Sequence, residues 1–229
     1  MKTISRYLIF IASLFMLGYS CKSSNDAGTV TDIDGNIYKT IQIGDQVWMA
    51  ENLKVSHFRN GEPIAHAKSK IEWARYGEGI FTIFPQWASP GFDSSNEKIH
   101  GKLYNWHAVN DARGLAPEGW HIPTKEEWEQ LANYLGKDGG NKLKSTTDWT
   151  ATKYELSPGS NKTGFNAYPS GGLSGVGSFG AFTTKCYFWS STKAGNTNGW
   201  HFFLSSSGGS LTKATESMVS GNSVRCIKN

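Results

Sequence analysis

The chain has 229 residues, 23 Lys and Arg against 19 Asp and Glu, and a formal charge of +4. Two of those cations, Lys2 and Arg6, sit in a leader, so the remainder is close to neutral, which excludes a nucleic-acid partner held by a basic surface. Twenty-six glycines and nine tryptophans fit a loop-rich, aromatic-cored domain of short elements better than a helical bundle.

Residues 1–20 read as a lipoprotein signal peptide. A positive start precedes an apolar run over 7–17, about eleven residues and too short for a bilayer core of roughly 30 Å. Gly18 and Ser20 lead to Cys21, the expected lipidation site, although Tyr19 stands where a smaller residue is usual. The alternative is an ordinary secretory signal. Acyl chains on one cysteine would anchor durably, at about 0.8 kcal/mol per buried CH₂. Residues 21–28 read as a flexible tether, and residues 29–229 as one domain. The expected location is the cell envelope, as an outer-membrane lipoprotein. Lys22 and Asp26 hint at exposure on the outer surface.

Beyond the tether, Asp32-Ile33-Asp34-Gly35-Asn36 resembles a calcium loop but lacks the spacing and distal glutamate of an EF-hand, so a turn is expected. Ile37–Ile43 and residues 46–53 flank Gly44-Asp45, a hairpin pattern. Residues 57–99 read as an irregular excursion, with turns at 60–63 and Pro90-Gly91 and an apolar run at 80–84. Trp73, Tyr76, Trp87 and Phe92 lie in it with no regular element to require them. They are the candidate ligand-binding residues; their alternative role is to cap the core beneath a long loop.

Residues 102–109 read as a strand. The stretch 119–136 carries the strongest local signal. Thr124 is an N-cap, Glu127 closes a capping box, Trp128, Leu131, Ala132 and Leu135 form one apolar face, and Gly136 suits the C-terminus. A short helix follows through Leu143, then a strand-like 165–168 and a glycine-rich 171–180, where Gly175-Val176-Gly177 reads as a mobile loop. Residues 186–191, 199–205 and 223–227 read as closing strands. Strands, one or two helices, then an antiparallel cluster make the class α+β.

Several blocks line up with one family. They are Val47-Trp48-Met49-Ala50-Glu51-Asn52-Leu53, Asn60-Gly61-Glu62-Pro63-Ile64, Gly101-Lys102-Leu103-Tyr104-Asn105-Trp106, the run from Leu115 through Thr124, Phe188-Trp189-Ser190-Ser191-Thr192 and Ser223-Val224-Arg225-Cys226. Together they resemble the Fibrobacter succinogenes major paralogous domain family of bacterial surface and secreted proteins, over residues 29–229. The helix start Pro123-Thr124-x-x-Glu127-Trp128-Glu129 is also similar to formylglycine-generating enzymes and their non-catalytic relatives. That resemblance implies a C-type-lectin-like domain, with antiparallel hairpins around one principal helix. It brings no catalytic activity, cofactor or ligand set. Ala116 departs from the cysteine that relatives place before Pro-x-Gly-Trp, which leaves Cys186 as the one partner for a bridge to Cys226. An oxidising compartment permits that disulfide; two buried thiols are the alternative.

The residues offer little for catalysis. Formylglycine chemistry needs a close cysteine pair, and Cys186 and Cys226 are forty positions apart. Glu62-Pro63-Ile64 and Trp189-Ser190-Ser191 do not match calcium-dependent sugar motifs. The six histidines show no metal spacing, and His121 is expected to be structural. Trp48, Trp106, Trp120, Trp128 and Trp189 are expected in the core, and Arg225 in a buried or rim ion pair. No catalytic residue, metal site or cofactor is assigned. The expected protein is a lipid-anchored, non-catalytic binding domain whose loops 57–99 and 171–183 recognise a glycan or a surface protein. An enzyme acting on envelope or extracellular polymers would show carboxylates of raised pKa in a cleft; a structural accessory subunit would show a broad apolar patch.

Overall fold

The computed structural model describes residues 26–77, 84–150 and 159–229. The strands are β1 (Asp26–Thr31), β2 (Ile37–Ile43), β3 (Gln46–Met49), β4 (Ala65–His66), β5 (Gln86–Ala88), β6 (Leu103–Asn105), β7 (Trp120–His121), β8 (Ser170–Leu173), β9 (Phe179–Phe182), β10 (Lys185–Ala194), β11 (Asn198–Ser205), β12 (Gly208–Ser217), β13 (Gly221–Asn222) and β14 (Ile227–Lys228). The helices are α1 (Lys70–Gly77), α2 (Glu97–His100), α3 (Trp106–Val109), α4 (Lys125–Leu135) and α5 (Gly139–Leu143). The class is α+β.

Two sheets carry the strands. One is antiparallel in the order β1-β2-β3-β14-β7, so the first and last described strands share it. The other runs β12-β11-β10-β8-β13-β6-β5-β4, with β9 paired to β8. The β2–β3 hairpin forms where the pattern predicts: Ile43 pairs with Gln46, and Gly44 takes the positive φ of +60° that a two-residue turn demands. Asp32 makes the preceding turn an Asx turn. Its Oδ1 accepts from the backbone N–H of Asp34 (3.0 Å) and Asn36 (2.9 Å), and its Oδ2 from the Tyr38 hydroxyl (2.5 Å).

Helix α4 is the principal helix. Thr124 Oγ1 accepts from Glu127 N–H at 3.2 Å and Glu127 Oε2 accepts from Thr124 N–H at 2.8 Å, a complete capping box. Gly136 closes the other end at φ +74°. The buried face is Trp128, Leu131 and Leu135. Trp128 lies 4.6 Å from Trp48 of β3 and 5.5 Å from both Phe188 of β10 and Phe202 of β11, centroid to centroid. One indole therefore ties the helix to both sheets. Thr124→Ala is expected to lower stability by about 1 kcal/mol, read as a lower denaturant midpoint at unchanged m-value; an unmoved midpoint would mean that packing alone sets the start of the helix.

A second anchor is polar. Arg225 is fully buried. It donates to Asn52 Oδ1 through Nη2 (2.5 Å) and Nε (3.1 Å), and through Nη1 to the carbonyls of Phe165 (2.5 Å) and Met49 (3.2 Å). The guanidinium also lies 4.3 Å from the Phe165 centroid. The expected ion pair is replaced by an amide, carbonyls and a ring; no carboxylate pairs with Arg225 among the described residues.

Several expectations change. Strand β1 starts at Asp26, three residues before the expected start of the domain at 29. Residues 57–99 hold β4, α1, β5, two 3₁₀ turns and most of α2, because their aromatic side chains turn inward and need a backbone to carry them. Residues 102–109 are a strand only through Asn105, whose side chain then accepts from Ala108 N–H at 3.0 Å and starts α3. The stretch 165–168 makes a single bridge, Ala167 with Lys144. The glycine-rich 171–183 forms the β8–β9 hairpin instead of an open loop. No described helix is long and apolar enough to cross a membrane.

Candidate functional site

The β8–β9 hairpin forms one wall of a cleft of about 190 Å³ lined by Leu173, Ser174, Ser178, Tyr187, Glu216 and Asn222, with Gly172, Gly180 and Ala181 beside them. Strand alternation supplies the side chains. On β10, Cys186 and Phe188 turn into the core, so Tyr187 between them faces the other way. On β12, Glu216 pairs with Gly199 of β11, where the Trp106 ring fills the place that a side chain would take. Glycine at 172 keeps the floor open: a Cβ there would stand 3.1 Å from Tyr187 Cδ2 and 3.2 Å from Asn222 Oδ1.

Asn222 Nδ2 donates to Glu216 Oε2 at 3.2 Å. Burial holds the Glu216 carboxyl above the ordinary carboxylate range, against hydrogen bonds from Asn222 and Ser220 that pull it down. The nearest ring nitrogen, His201 Nδ1, stands 3.8 Å from Glu216 Oε2, too far for a hydrogen bond. It has no hydrogen-bond partner among the described residues. Burial pushes the His201 imidazole down to about 4, so it is neutral at pH 7. Tyr187 leans against His201 at 5.7 Å and Phe203 at 5.9 Å, centroid to centroid.

A second cleft, of about 460 Å³, lies between the Asx turn and α2 and is lined by Asp34, Lys54, Ser56, His57, Glu97 and Lys102, among others. Several of its polar groups bond one another. Lys102, 5% exposed, donates to Ser56 Oγ, sits 3.7 Å from Glu97 Oε2 and lies 3.7 Å over the Trp87 ring. Asp34 takes His57 Nδ1 at 2.6 Å and the Ser56 N–H at 2.5 Å. A serine–lysine hydrolytic pair needs a neutral lysine. Burial holds the Lys102 pKa below the ordinary lysine value, with Glu97 acting against it, and the Trp87 face favours the cation. In this geometry Ser56 Oγ is the acceptor of the Lys102 bond.

The aromatics singled out from the sequence lie elsewhere. Trp73 is fully buried in a small cluster with Ala67, Ala88, Leu103 and Leu173. Trp87 is 6% exposed, with His66 stacked on one face at 3.7 Å and Lys102 over the other. Phe92 packs against the Trp73 cluster. Stacking on a ligand needs an open ring face, and neither tryptophan offers one; both cap the core. The side chain of Tyr76 and all of Cys21 lie outside the described residues. Cys186 and Cys226 are separate buried thiols with no bridge, each in a different core cluster. Burial pushes the Cys186 thiol up to about 12 and raises Cys226 as well, so both stay protonated. No cluster of three or more metal-ligating side chains occurs among the described residues. His121 bonds Glu127 and Asn229, each at 2.8 Å, beside the helix start.

The sequence reading missed Tyr187, Glu216 and Asn222. Alternation around the buried Phe188 would have turned Tyr187 outward; nothing short of the β11–β12 pairing marks Glu216.

A family model described as the Fibrobacter succinogenes major domain matches residues 41–228. No curated protein and no solved structure matches the chain.

Proposed function

The chain belongs to the Fibrobacter succinogenes major domain family, and from that premise we propose that it is a lipid-anchored envelope protein whose domain binds a glycan without transforming it. The observation that carries this reading is the cleft beside the β8–β9 hairpin, where an aromatic ring, a carboxylate, an amide and two serines converge. A sugar ring presents C–H groups on its faces and hydroxyls around its rim. The first pack on Tyr187, and the second take hydrogen bonds from and to Glu216, Asn222, Ser174 and Ser178. A cleft of about 190 Å³ is below the roughly 300–1,000 Å³ of a drug-sized site; it suits one ring of a longer chain.

The enzyme reading has less support. Among the described residues Glu216 is the one carboxylate lining this cleft, and its neighbour His201 is neutral and 5% exposed. The C-type-lectin-like arrangement is proposed on the single dominant helix packed among antiparallel hairpins. Anchoring through Cys21 rests on the leader pattern.

A glycan array probed with the full-length protein tests the reading. Binding is expected, and Gly172→Ala should weaken it about tenfold or more by pushing a methyl group between Tyr187 and Asn222. Tyr187→Ala should do the same by removing the ring, with unchanged circular dichroism for both. Undiminished binding in both variants would move the site elsewhere; no binding by the native protein to any glycan would remove the proposal.

A further inference from the structure

Glu216 raises a problem of charge balance that the protein does not solve for itself. Its side chain is about one-third exposed, and it lines an open cleft. The groups that bond it, Asn222 and Ser220, are neutral donors. The titratable groups facing it among the described residues are His201 on β11 and Tyr187 on β10, and neither carries positive charge at neutral pH. No lysine or arginine lies within ion-pair distance of it among the described residues. Glu97, by contrast, has the Lys102 ammonium at 3.7 Å, whereas the one group at that range from Glu216 is the neutral His201, at 3.8 Å.

A carboxylate partly withdrawn from water and without a cation gains from a positive charge brought to it. Here the cleft also holds a π-face, Tyr187, and an aromatic ring beside a carboxylate is the pair that receives an ammonium ion. The cleft has no cationic lining residue, so an acidic sugar would meet only repulsion there.

We propose that the cleft recognises an amino sugar with a free amine, its ammonium paired with Glu216 and its ring laid along Tyr187. This rests on the glycan reading and narrows it to sugars that bear a positive charge. N-acetylation of the ligand would remove both the charge and the fit to the carboxylate.

The test compares two probes of equal length, a glucosamine oligosaccharide and its N-acetylated counterpart, titrated into the full-length protein by calorimetry. The amine form should bind about tenfold tighter or better, as expected for a charge-assisted contact. Glu216→Gln, nearly isosteric, should abolish that preference while Tyr187→Leu weakens both probes. Affinity for the amine form should fall as pH drops through the raised pKa of Glu216, because the neutral acid cannot pair with ammonium. Equal affinity for the two probes, with both weakened by Tyr187→Leu, would overturn the amine assignment and leave glycan binding standing. Failure of both probes alongside binding of a lysine-rich peptide would overturn the sugar itself and point to a protein amine.

Discussion

Trp128→Ala is expected to cost about 3–5 kcal/mol, a large part of the roughly 5–15 kcal/mol that holds a domain folded. Trp128 is fully buried and touches rings from both sheets, Trp48 at 4.6 Å and Phe188 and Phe202 each at 5.5 Å, and also Phe165, in the connection before β8, at 6.2 Å. Those neighbours are themselves buried and belong to different elements, so they cannot collapse into the void without moving strand against strand. The cavity penalty therefore adds to the lost transfer energy. Trp128→Phe, which keeps a ring, should cost less than half as much. Urea unfolding followed by near-ultraviolet circular dichroism reads both. A loss under about 1.5 kcal/mol for the alanine variant would show that the two sheets hold together without the helix.

Asn52→Ala should be nearly as damaging, about 3–5 kcal/mol, although alanine removes only an amide. Asn52 Oδ1 receives two bonds from Arg225, and its Nδ2 donates to the His100 carbonyl at 2.9 Å. Without it the guanidinium stays buried with its charge less compensated. Burial pulls the Arg225 pKa down to about 9, so it remains a cation at neutral pH. The sign follows from that shift. Below pH 9 both states are protonated and the cost of the buried charge is fully present; above it the folded state sheds its proton first, and the contribution of this group to stability rises with pH. The double variant Asn52→Leu with Arg225→Met should recover stability relative to Asn52→Ala alone, since removing both partners avoids a stranded charge. Strict additivity of the single effects would show that the two side chains do not act as a unit.

What the sequence disclosed depends on whether the deciding contact is local. The α4 capping box spans four residues and the β2–β3 turn spans two, so both were readable in the order of residues. The family blocks were also legible, because they surround these local signals and the buried tryptophans. Trp73 and Trp87 were misplaced for the opposite reason. Their partners come from far along the chain: Gly221, whose Cβ would stand 2.8 Å from Trp73 Cη2, and Lys102 over Trp87. No local period announces such burial. The cleft was hidden in the same way. Glu216 sits on β12, a largely polar strand that no hydrophobic alternation marks. Its meaning comes from Asn222 and Tyr187, brought together by three different strands. The glycine-rich stretch looked like a loop because glycine is poor evidence for a strand, yet Gly171 and Gly172 are in the sheet because other chains of atoms approach too closely for a side chain.

The early start of β1 sets a length scale. Only the segment from Cys21 to Asp26 separates the proposed acyl attachment from the sheet, and at full extension it reaches roughly 17 Å. A domain on so short a leash cannot sweep a wide volume above the bilayer. It would patrol a shallow shell, meeting strands that run close along the membrane or fragments that diffuse down to it, and lengthening that leash with glycine and serine should widen the shell without altering the domain.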